Sequence, residues 1–172
     1  GLDKLGGAAW QARKARVKER ITRVARDLMR IAAERKLRKS EIIDVPESVL
    51  EEFAQTFPYS ETDDQLSAIE DVIDDLASGH PMDRLVCGDV GFGKTEVAIR
   101  AAFVGAMAGH QVAIVEPTTL LARQHFKTFQ DRFKDLNIRI AQLSRLVNAK
   151  DAAATKEALE RGEIDIVIGT HA

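Results

Sequence analysis

The hydrophobic and polar positions at the start of the chain describe one long helix. From Ala8 to about Arg38 there is no proline or glycine, and Ala, Arg, Lys, Leu and Glu, which favour helices, dominate. Apolar residues then recur at alternating spacings of four and three, at Val17, Ile21, Val24, Leu28 and Ile31. This pattern predicts a narrow apolar stripe of the kind found on a helix that packs against a partner.

The next segment, residues 40–82, changes character and predicts a helical lead-in. Ser40, Pro46 and Pro58 interrupt the first helix, and acidic residues accumulate. We expect a short helix around Glu47–Thr56 and a second helix from Asp63 to about Ser78. Thr62 stands directly before the second helix, where threonine is a favourable N-cap.

Residues 83–172 alternate regularly between short apolar runs and helical patterns of 12–15 residues. Such alternation indicates βαβ units, and therefore an α/β fold whose parallel sheet is flanked by helices on both faces. In sheets of this kind ligands bind at the carboxyl ends of the strands. The predicted elements are strand Arg84–Cys87, helix Lys94–Ala108, strand Gln111–Glu116, helix Leu120–Lys134, strand Ile138–Leu143, helix Ala149–Arg161 and strand Asp165–Ile168.

The composition excludes several protein classes. Hydrophobic residues make up 45% of the 172 residues and charged residues 30%, so disordered, collagen-like and repeat-built chains are excluded. No uncharged apolar run reaches the roughly 18 residues needed to span a bilayer, and we expect no membrane partner. The lone Cys87 excludes an intramolecular disulfide and a cysteine-rich metal site. We interpret it as a small buried strand residue in a cytoplasmic protein.

The net charge of −2 conceals two opposite halves. Residues 1–39 hold 13 Lys and Arg against 4 Asp and Glu, a net of +9. Residues 40–172 hold 12 against 23, a net of −11. The basic helix over residues 1–39 is predicted to be a linker between other parts of a protein, because its arginines flank the apolar stripe. Direct binding of this helix to DNA remains an alternative.

A phosphate-binding loop follows the first predicted strand. The residues match G-x4-G-K-[ST], a pattern in which backbone amides surround phosphate oxygens at the start of a helix. Lys94 is expected to reach the β- and γ-phosphates and the Thr95 hydroxyl to bind Mg2+. The alternative is a glycine-rich turn that binds nothing. The predicted nucleotide contacts are Gly88, Asp89, Val90, Gly91, Phe92, Gly93, Lys94, Thr95 and the adjacent Glu96.

A segment before the loop is a candidate for recognising the nucleotide base. No N-K-x-D or T-K-x-D string is present, which disfavours guanine. The side-chain amide of Gln65 has a donor and an acceptor that can pair with adenine, and Phe57 or Tyr59 could stack on the base. The alternative is that Thr62 caps a helix and Gln65 is a surface residue on its first turn.

Longer strings of residues resemble those of a known family. Asp83–Gly88, Thr95–Ala98 and Pro117–His125 are similar to strings in bacterial transcription-repair coupling factors, which are DNA translocases of helicase superfamily 2. The segment Phe57–Gln65 looks like the adenine-reading Q motif of that superfamily, although Asp64 stands where the pattern usually has proline. The segment Leu2–Trp10 looks like the segment with which the family's chain leaves its RNA-polymerase-binding module. The long helix is then similar to its relay helix.

The resemblance implies a RecA-like lobe that binds ATP and Mg2+, with Lys94 and Thr95 as catalytic residues. It further implies contacts to the backbone of double-stranded DNA, a second RecA-like lobe, and RNA polymerase and excision-repair proteins as partners through other modules. For the threonines after Pro117 a simple helix cap is the alternative, and for His171 the alternative is no role. The implied DNA-contact residues are Thr118, Thr119, Gln124, Ser144, Arg145, Gly169, Thr170 and His171.

The sequence lacks part of what hydrolysis requires. A carboxylate that helps to hold Mg2+ and orients water, usually with arginine fingers, is needed, and no D-E-x-H string occurs. Glu116 at the end of an apolar strand is an alternative acid. We therefore expect a fragment that binds nucleotide without appreciable turnover. A related branched-DNA translocase and a nucleotide-dependent protein-interaction module are the competing interpretations.

Overall fold

The computed structural model describes residues 7–171, which form two units, residues 7–41 and residues 42–171. The predicted lead-in residues Leu2–Gly6 lie outside the described residues, as does Ala172. In the first unit, helix α1 spans Ala8–Leu37, as its composition predicts. No helix in the described part of the chain has the length and apolar character needed to cross a membrane.

Helix α1 has no buried residue. Salt bridges one turn apart join Arg23 to Glu19 and Arg30 to Glu34, with all four side chains largely exposed. Such pairs stabilise a helix by only a few tenths of a kcal/mol, about 0.2–0.5 each. The predicted apolar stripe from Val17 to Ile31 is therefore present as an exposed face.

The second unit has the predicted helices and strands in the predicted order, except for the strand predicted at Arg84–Cys87. Within residues 42–171 the elements are helices α2 (Glu47–Gln55), α3 (Asp63–Ala77), α4 (Lys94–Met107), α5 (Thr119–Phe133) and α6 (Ala149–Glu160), with strands β1 (Val112–Glu116), β2 (Ile140–Leu143) and β3 (Ile166–Thr170).

The strands form a parallel sheet in the order β1-β3-β2. Ile166 and Ile168 of the central strand have no exposed surface, and they belong to a core built with residues of α4 and α5. On β1 the side chains alternate, and Val115 is 55% exposed. The α/β fold with a parallel sheet flanked by helices is confirmed. On one face of β1 the side chains are exposed to solvent.

Aromatic side chains hold α2 against this core. The ring of Phe53 stacks on that of Phe103 with centroids 4.0 Å apart, and Phe133 lies at 5.2 Å from Phe53. Phe129 stacks on Phe133 at 5.7 Å. These four side chains are 3% exposed or less. They join α2, α4 and α5 into one packed layer.

The predicted strand Arg84–Cys87 is wrong. Residues 81–89 have no regular structure, since β1 pairs with β3 and no strand among the described residues pairs with this segment. A strand depends on ladder hydrogen bonds from a neighbour, which an apolar run cannot provide for itself. Leu85 is 85% exposed, and Cys87, which we expected to be buried, is exposed as well.

The last strand runs further than its apolar run predicts. Gly169 pairs with Val115 and Leu143, and Thr170 pairs with Glu116. A Cβ at Gly169 would overlap the carbonyl oxygen of Leu143. The absence of a side chain therefore allows β2 and β3 to stay in register to their ends.

Replacing Phe103 with alanine tests the packed aromatic layer. We expect Phe103→Ala to lower the free energy of unfolding by about 3–5 kcal/mol, because a buried ring leaves a cavity. Leu120→Ala is the control, since Leu120 is 72% exposed and its loss should cost no more than about 0.5 kcal/mol. Urea denaturation measures both. Equal losses would contradict this description of the core.

Candidate nucleotide site and sheet edge

The glycines of the predicted phosphate loop have the backbone that the motif requires. Gly91 has φ +87° and Gly93 has φ +72°, both in the left-handed region that other residues rarely adopt. Gly93 is also the N-cap of α4, directly before its first residue, Lys94. The positive end of that helix therefore faces the loop, as anion binding requires.

Lys94 extends its side chain across the loop. Its ammonium nitrogen donates hydrogen bonds to the backbone carbonyls of Gly88 and Asp89, each at 2.6 Å. The ammonium group thus lies among the residues that are predicted to surround phosphate. Loop residues Gly88–Phe92 are exposed, so the backbone can be reached by a ligand.

Thr95 is half-buried beside Lys94, on the first turn of α4. Among residues 7–171 no group of three or more His, Cys, Asp or Glu side chains could hold a metal ion. The Thr95 hydroxyl is an oxygen donor of the kind that Mg2+ accepts, and we predicted it to bind an ion whose other ligands would be nucleotide phosphates and water. Such an ion would neutralise phosphate charge.

A cavity of about 640 Å³ opens beside the loop. Phe57 and Tyr59 lie on its wall with their rings edge to face, 5.5 Å between centroids. Gln65 and Gly93 line it as well, so the predicted base contacts and the phosphate loop border one cavity. Its volume is typical of a small-molecule site.

The Gln65 amide already has hydrogen-bond partners. Its oxygen accepts from the backbone N–H of Thr62 at 2.9 Å, and the Thr62 hydroxyl accepts from the backbone N–H of Gln65 at 3.3 Å. This capping box at the start of α3 corresponds to the alternative that the sequence left open. The amide nitrogen also donates to the carbonyl of Phe92 at 3.2 Å. Gln65 therefore links the start of α3 to the phosphate loop, and pairing with adenine requires it to share or replace these bonds.

A cluster of buried charged side chains lies at the wall of this cavity. The sequence did not predict this cluster. One carboxylate oxygen of Glu96 accepts hydrogen bonds from Arg100 at 2.6 Å and from Arg132 at 2.7 Å. Arg100 also donates to Glu61 at 2.5 Å. Glu96, which we predicted to contact nucleotide, is 3% exposed and points toward these arginines. The available signal was the pair Glu96 and Arg100, four residues apart on an apolar helix.

Charges also hold the segment that leads into the loop. Arg84 donates to Asp75 at 2.6 Å and to Asp71 at 2.8 Å, both on α3. The hydrogen bond from Arg84 lowers the pKa of Asp75, and its positive charge acts in the same direction against the effect of desolvation. Asp75 therefore stays ionised and can hold Arg84 across the neutral pH range.

The predicted DNA-contact residues lie at one edge of the sheet. Because the strands are parallel and Glu116 and Leu143 pair with Thr170 and Gly169, all three strands end together. The structure thus brings together three segments that are far apart in sequence, namely 118–124, 144–145 and 169–171.

Several of these residues have structural roles at that edge. The Thr118 hydroxyl accepts from the backbone N–H of Leu121 at 3.2 Å and caps α5. Ser144 is 6% exposed, and its hydroxyl accepts from the backbone N–H of Leu146 at 3.4 Å. The Thr170 hydroxyl oxygen is buried and has no hydrogen-bond partner in the described residues. Thr119 is half-buried, whereas Gln124, Arg145 and His171 are exposed.

Glu116, the alternative acid, has a partner that the sequence did not suggest. The ring nitrogen Nδ1 of His125 lies 2.5 Å from a carboxylate oxygen of Glu116, and both side chains are largely buried. This pair joins the end of β1 to α5. The contact gives Glu116 a role in packing at the edge of the sheet.

Comparisons with known proteins agree with this arrangement. Residues 62–172 match the DEAD/DEAH box helicase family. The chain is 51% identical over 99% of its length to the transcription-repair-coupling factor of Rickettsia bellii, and 47% identical over 99% to that of Bacillus subtilis. It spans 16% and 14% of these relatives' lengths. The resemblance to this family of coupling factors is confirmed.

A solved structure of RecG bound to a three-way DNA junction is similar as well. The TM-score is 0.76 at 36% identity, over 83% of this chain and 20% of that chain. This similarity supports the α/β fold described above.

Two glycines with left-handed backbones allow a matched test of the loop. At Gly93 an added Cβ would overlap the amide nitrogen of Gln65, whereas at Gly109, with φ +86°, it would meet nothing within 4 Å. Gly109→Ala should cost about 1–2 kcal/mol of stability through the backbone alone. Gly93→Ala should cost more, since it also displaces Gln65. Urea denaturation compares the two, and equal losses would contradict the close approach at Gly93.

Proposed function

Because the chain belongs to the DEAD/DEAH box helicase family, we propose that it is the ATP-binding lobe of an ATP-dependent DNA translocase. One observation carries this proposal: a loop with the required left-handed glycines places Lys94 beside a cavity that Phe57 and Gln65 line. Phosphates bind at the loop, and the base enters the cavity. ATP is the expected nucleotide, since Gln65 offers an amide suited to adenine.

Binding would depend on local groups despite the net charge of −11 over residues 40–172. The backbone amides of the loop and the start of α4 attract phosphate oxygens. Lys94 adds a positive charge, and Thr95 would hold a Mg2+ ion, which would reduce repulsion between phosphates. When bound, this ion also stabilises charge that develops as the terminal phosphate is transferred.

The edge at which β1, β2 and β3 end is the proposed contact with the backbone of double-stranded DNA. Small hydroxyls, backbone amides and an arginine bind phosphates without reading bases. Thr119, Gln124, Arg145 and His171 have surface there that a phosphate can reach. Contacts of this type suit a motor that moves along any sequence.

The transcription-repair-coupling factors that resemble this chain suggest the setting in which the motor acts. We propose that the whole protein couples ATP hydrolysis to translocation, displaces stalled RNA polymerase and recruits excision-repair proteins. A carboxylate and arginine fingers from outside these 172 residues would complete hydrolysis, in part from a second RecA-like lobe. The chain alone should then bind ATP without appreciable turnover, and a phosphate-release assay above background would contradict this.

A second candidate function is a nucleotide-dependent protein-interaction module. The exposed apolar stripe on α1, with side chains 49–62% exposed, favours a helix that packs against a partner. A D-E-x-H string within about 40 codons after Ala172 would support the motor. A stop codon there would support the module.

Removing the lysine ammonium tests nucleotide binding. Lys94→Ala should weaken ATP binding by about 10- to 100-fold, the effect of losing hydrogen bonds from a charged group. Lys156→Ala, which changes an exposed lysine on α6, is the control and should leave the affinity unchanged. Isothermal titration calorimetry with ATP and Mg2+ measures both. Equal affinities for the wild type and Lys94→Ala would contradict the proposed site.

An exposed arginine at the sheet edge tests the DNA contact. Arg145→Gln should weaken binding to a labelled duplex and lower the salt dependence, log Kd against log salt, by about 0.9 for one phosphate. The control is Lys134→Gln, which makes the same charge change at the C-cap of α5. That end of the helix lies away from the sheet edge at which Thr118 caps its start. Fluorescence anisotropy over a salt series measures the slope. If Lys134→Gln lowers it as much, the edge is not the contact.

A further inference from the structure

Arg132, near the end of α5, is a buried charge that the proposed binding of ATP does not use. Its side chain is 9% exposed, and it lines the cavity beside the phosphate loop. One terminal nitrogen donates to Glu96 at 2.7 Å, and the other donates to the hydroxyl of Thr56. The side chain thus connects α5 to α4 and to the end of α2.

The guanidinium group of Arg132 also packs against two aromatic rings. Its carbon lies 4.8 Å from the centre of the Phe53 ring and 5.5 Å from that of the Phe57 ring. A guanidinium at these distances is attracted to the ring face. Phe57 and Tyr59 both lie on the cavity wall, so Arg132 contacts one of the two rings on which a base could stack.

The second arginine of the cluster fixes the other end of this wall. Arg100, 6% exposed, donates to Glu61, which precedes the helix cap Thr62. Residues 57–62 are therefore held at both ends, by Arg132 at Phe57 and by Arg100 at Glu61. The two arginines share the carboxylate of Glu96, so both ends depend on one residue of α4.

Stability alone is a weak explanation for this arrangement. Burying charged groups has a desolvation cost, and apolar residues of similar size often stabilise a core as well or better. The Nε atom of Arg132 is buried and has no hydrogen-bond partner in the described residues, a further cost. A costly polar cluster beside a ligand cavity indicates that the position of its members matters for the ligand.

We propose that Arg132 is a positioning residue that holds the Phe57 ring in the orientation needed to stack on the nucleotide base. The proposal rests on the proposed binding of ATP and extends it to a residue that touches no phosphate. Arg132 acts through Phe57, which it contacts, and through Thr56, which directly precedes that ring in the chain. Its effect is therefore confined to ligands that carry a base.

Because the proposed effect of Arg132 requires a base on the ligand, comparing ligands with and without a base separates positioning of the Phe57 ring from general stabilisation of the protein. Calorimetry would measure the affinities of the whole 172-residue chain for ATP and for inorganic tripolyphosphate, which has no base. Arg132→Lys keeps the charge near Glu96 and removes the planar group that packs on Phe57. We expect it to weaken ATP binding by about 5-fold or more, the effect of losing one aromatic contact, and to change tripolyphosphate binding by less than about 2-fold.

Two further variants complete the design. Arg123→Lys makes the same change at an exposed position of α5 and should leave both affinities unchanged. If Arg132→Lys does not fold, as judged by circular dichroism, Thr56→Val removes the hydroxyl that accepts from Arg132 and keeps the side-chain shape. It should also weaken ATP binding selectively.

A double-mutant cycle tests whether Arg132 acts through the ring. If it does, Phe57→Leu combined with Arg132→Lys should bind ATP no more weakly than Phe57→Leu alone. Additive losses would overturn the proposal, as would equal losses for ATP and tripolyphosphate in Arg132→Lys or no loss for either.

The same titrations distinguish failure of this proposal from failure of the proposed function. If the wild-type chain binds neither ligand, the ATP site itself is wrong and the role of Arg132 falls with it. If it binds both ligands equally, the phosphate loop stands and the base pocket is overturned. Selective loss of ATP affinity in Arg132→Lys supports both proposals.

Discussion

The carboxylate of Glu96 is the contact on which the proposed site depends most. Glu96 follows Lys94 and Thr95 directly, so one turn of α4 carries both the groups proposed to bind phosphate and Mg2+ and the buried acid. Through Arg100 and Arg132 this acid binds the segment that would contact the base. In the proposed site, the positions of phosphate and base would thus both be set relative to a single helical turn.

Helix α5 connects this site to the proposed DNA contact. Its N-cap is Thr118 at the carboxyl edge of the sheet, and Arg132 lies one residue before its end. Fifteen helical residues span about 22 Å, and a helix transmits displacement along its axis because its hydrogen bonds resist compression. The contact of His125 with Glu116 and the burial of Phe129 hold its middle on the sheet. The cavity beside the phosphate loop and the proposed DNA contact are therefore joined through one helix.

Most elements could be predicted from the sequence because their signals are local. Periodic apolar positions and caps such as Thr62 define the helices to within about two residues, and the glycine pattern identifies the phosphate loop. The strand predicted at Arg84–Cys87 is absent. An apolar run indicates that a strand would be favourable, but it does not show whether a neighbouring strand is there to pair with it. The charge cluster was missed for a related reason: its contacts join residues 36 and 39 positions apart, which no local pattern encodes.

Residues that a motif shares with a family differ in how much they say about function. Gly169 is required by the close approach of Leu143, and Thr118 and Ser144 complete local hydrogen bonds, so each is explained by the fold without a ligand. Gly91 lies in an exposed loop where a Cβ would meet nothing within 4 Å, but Gly109 shares this exposure and the left-handed backbone. Only the G-x4-G-K-[ST] pattern therefore links Gly91 to phosphate. Arg145 and His171 are exposed in the same way at the end of the sheet. Packing does not account for Arg145 and His171, and the proposed binding of phosphate at the sheet edge would give both a role.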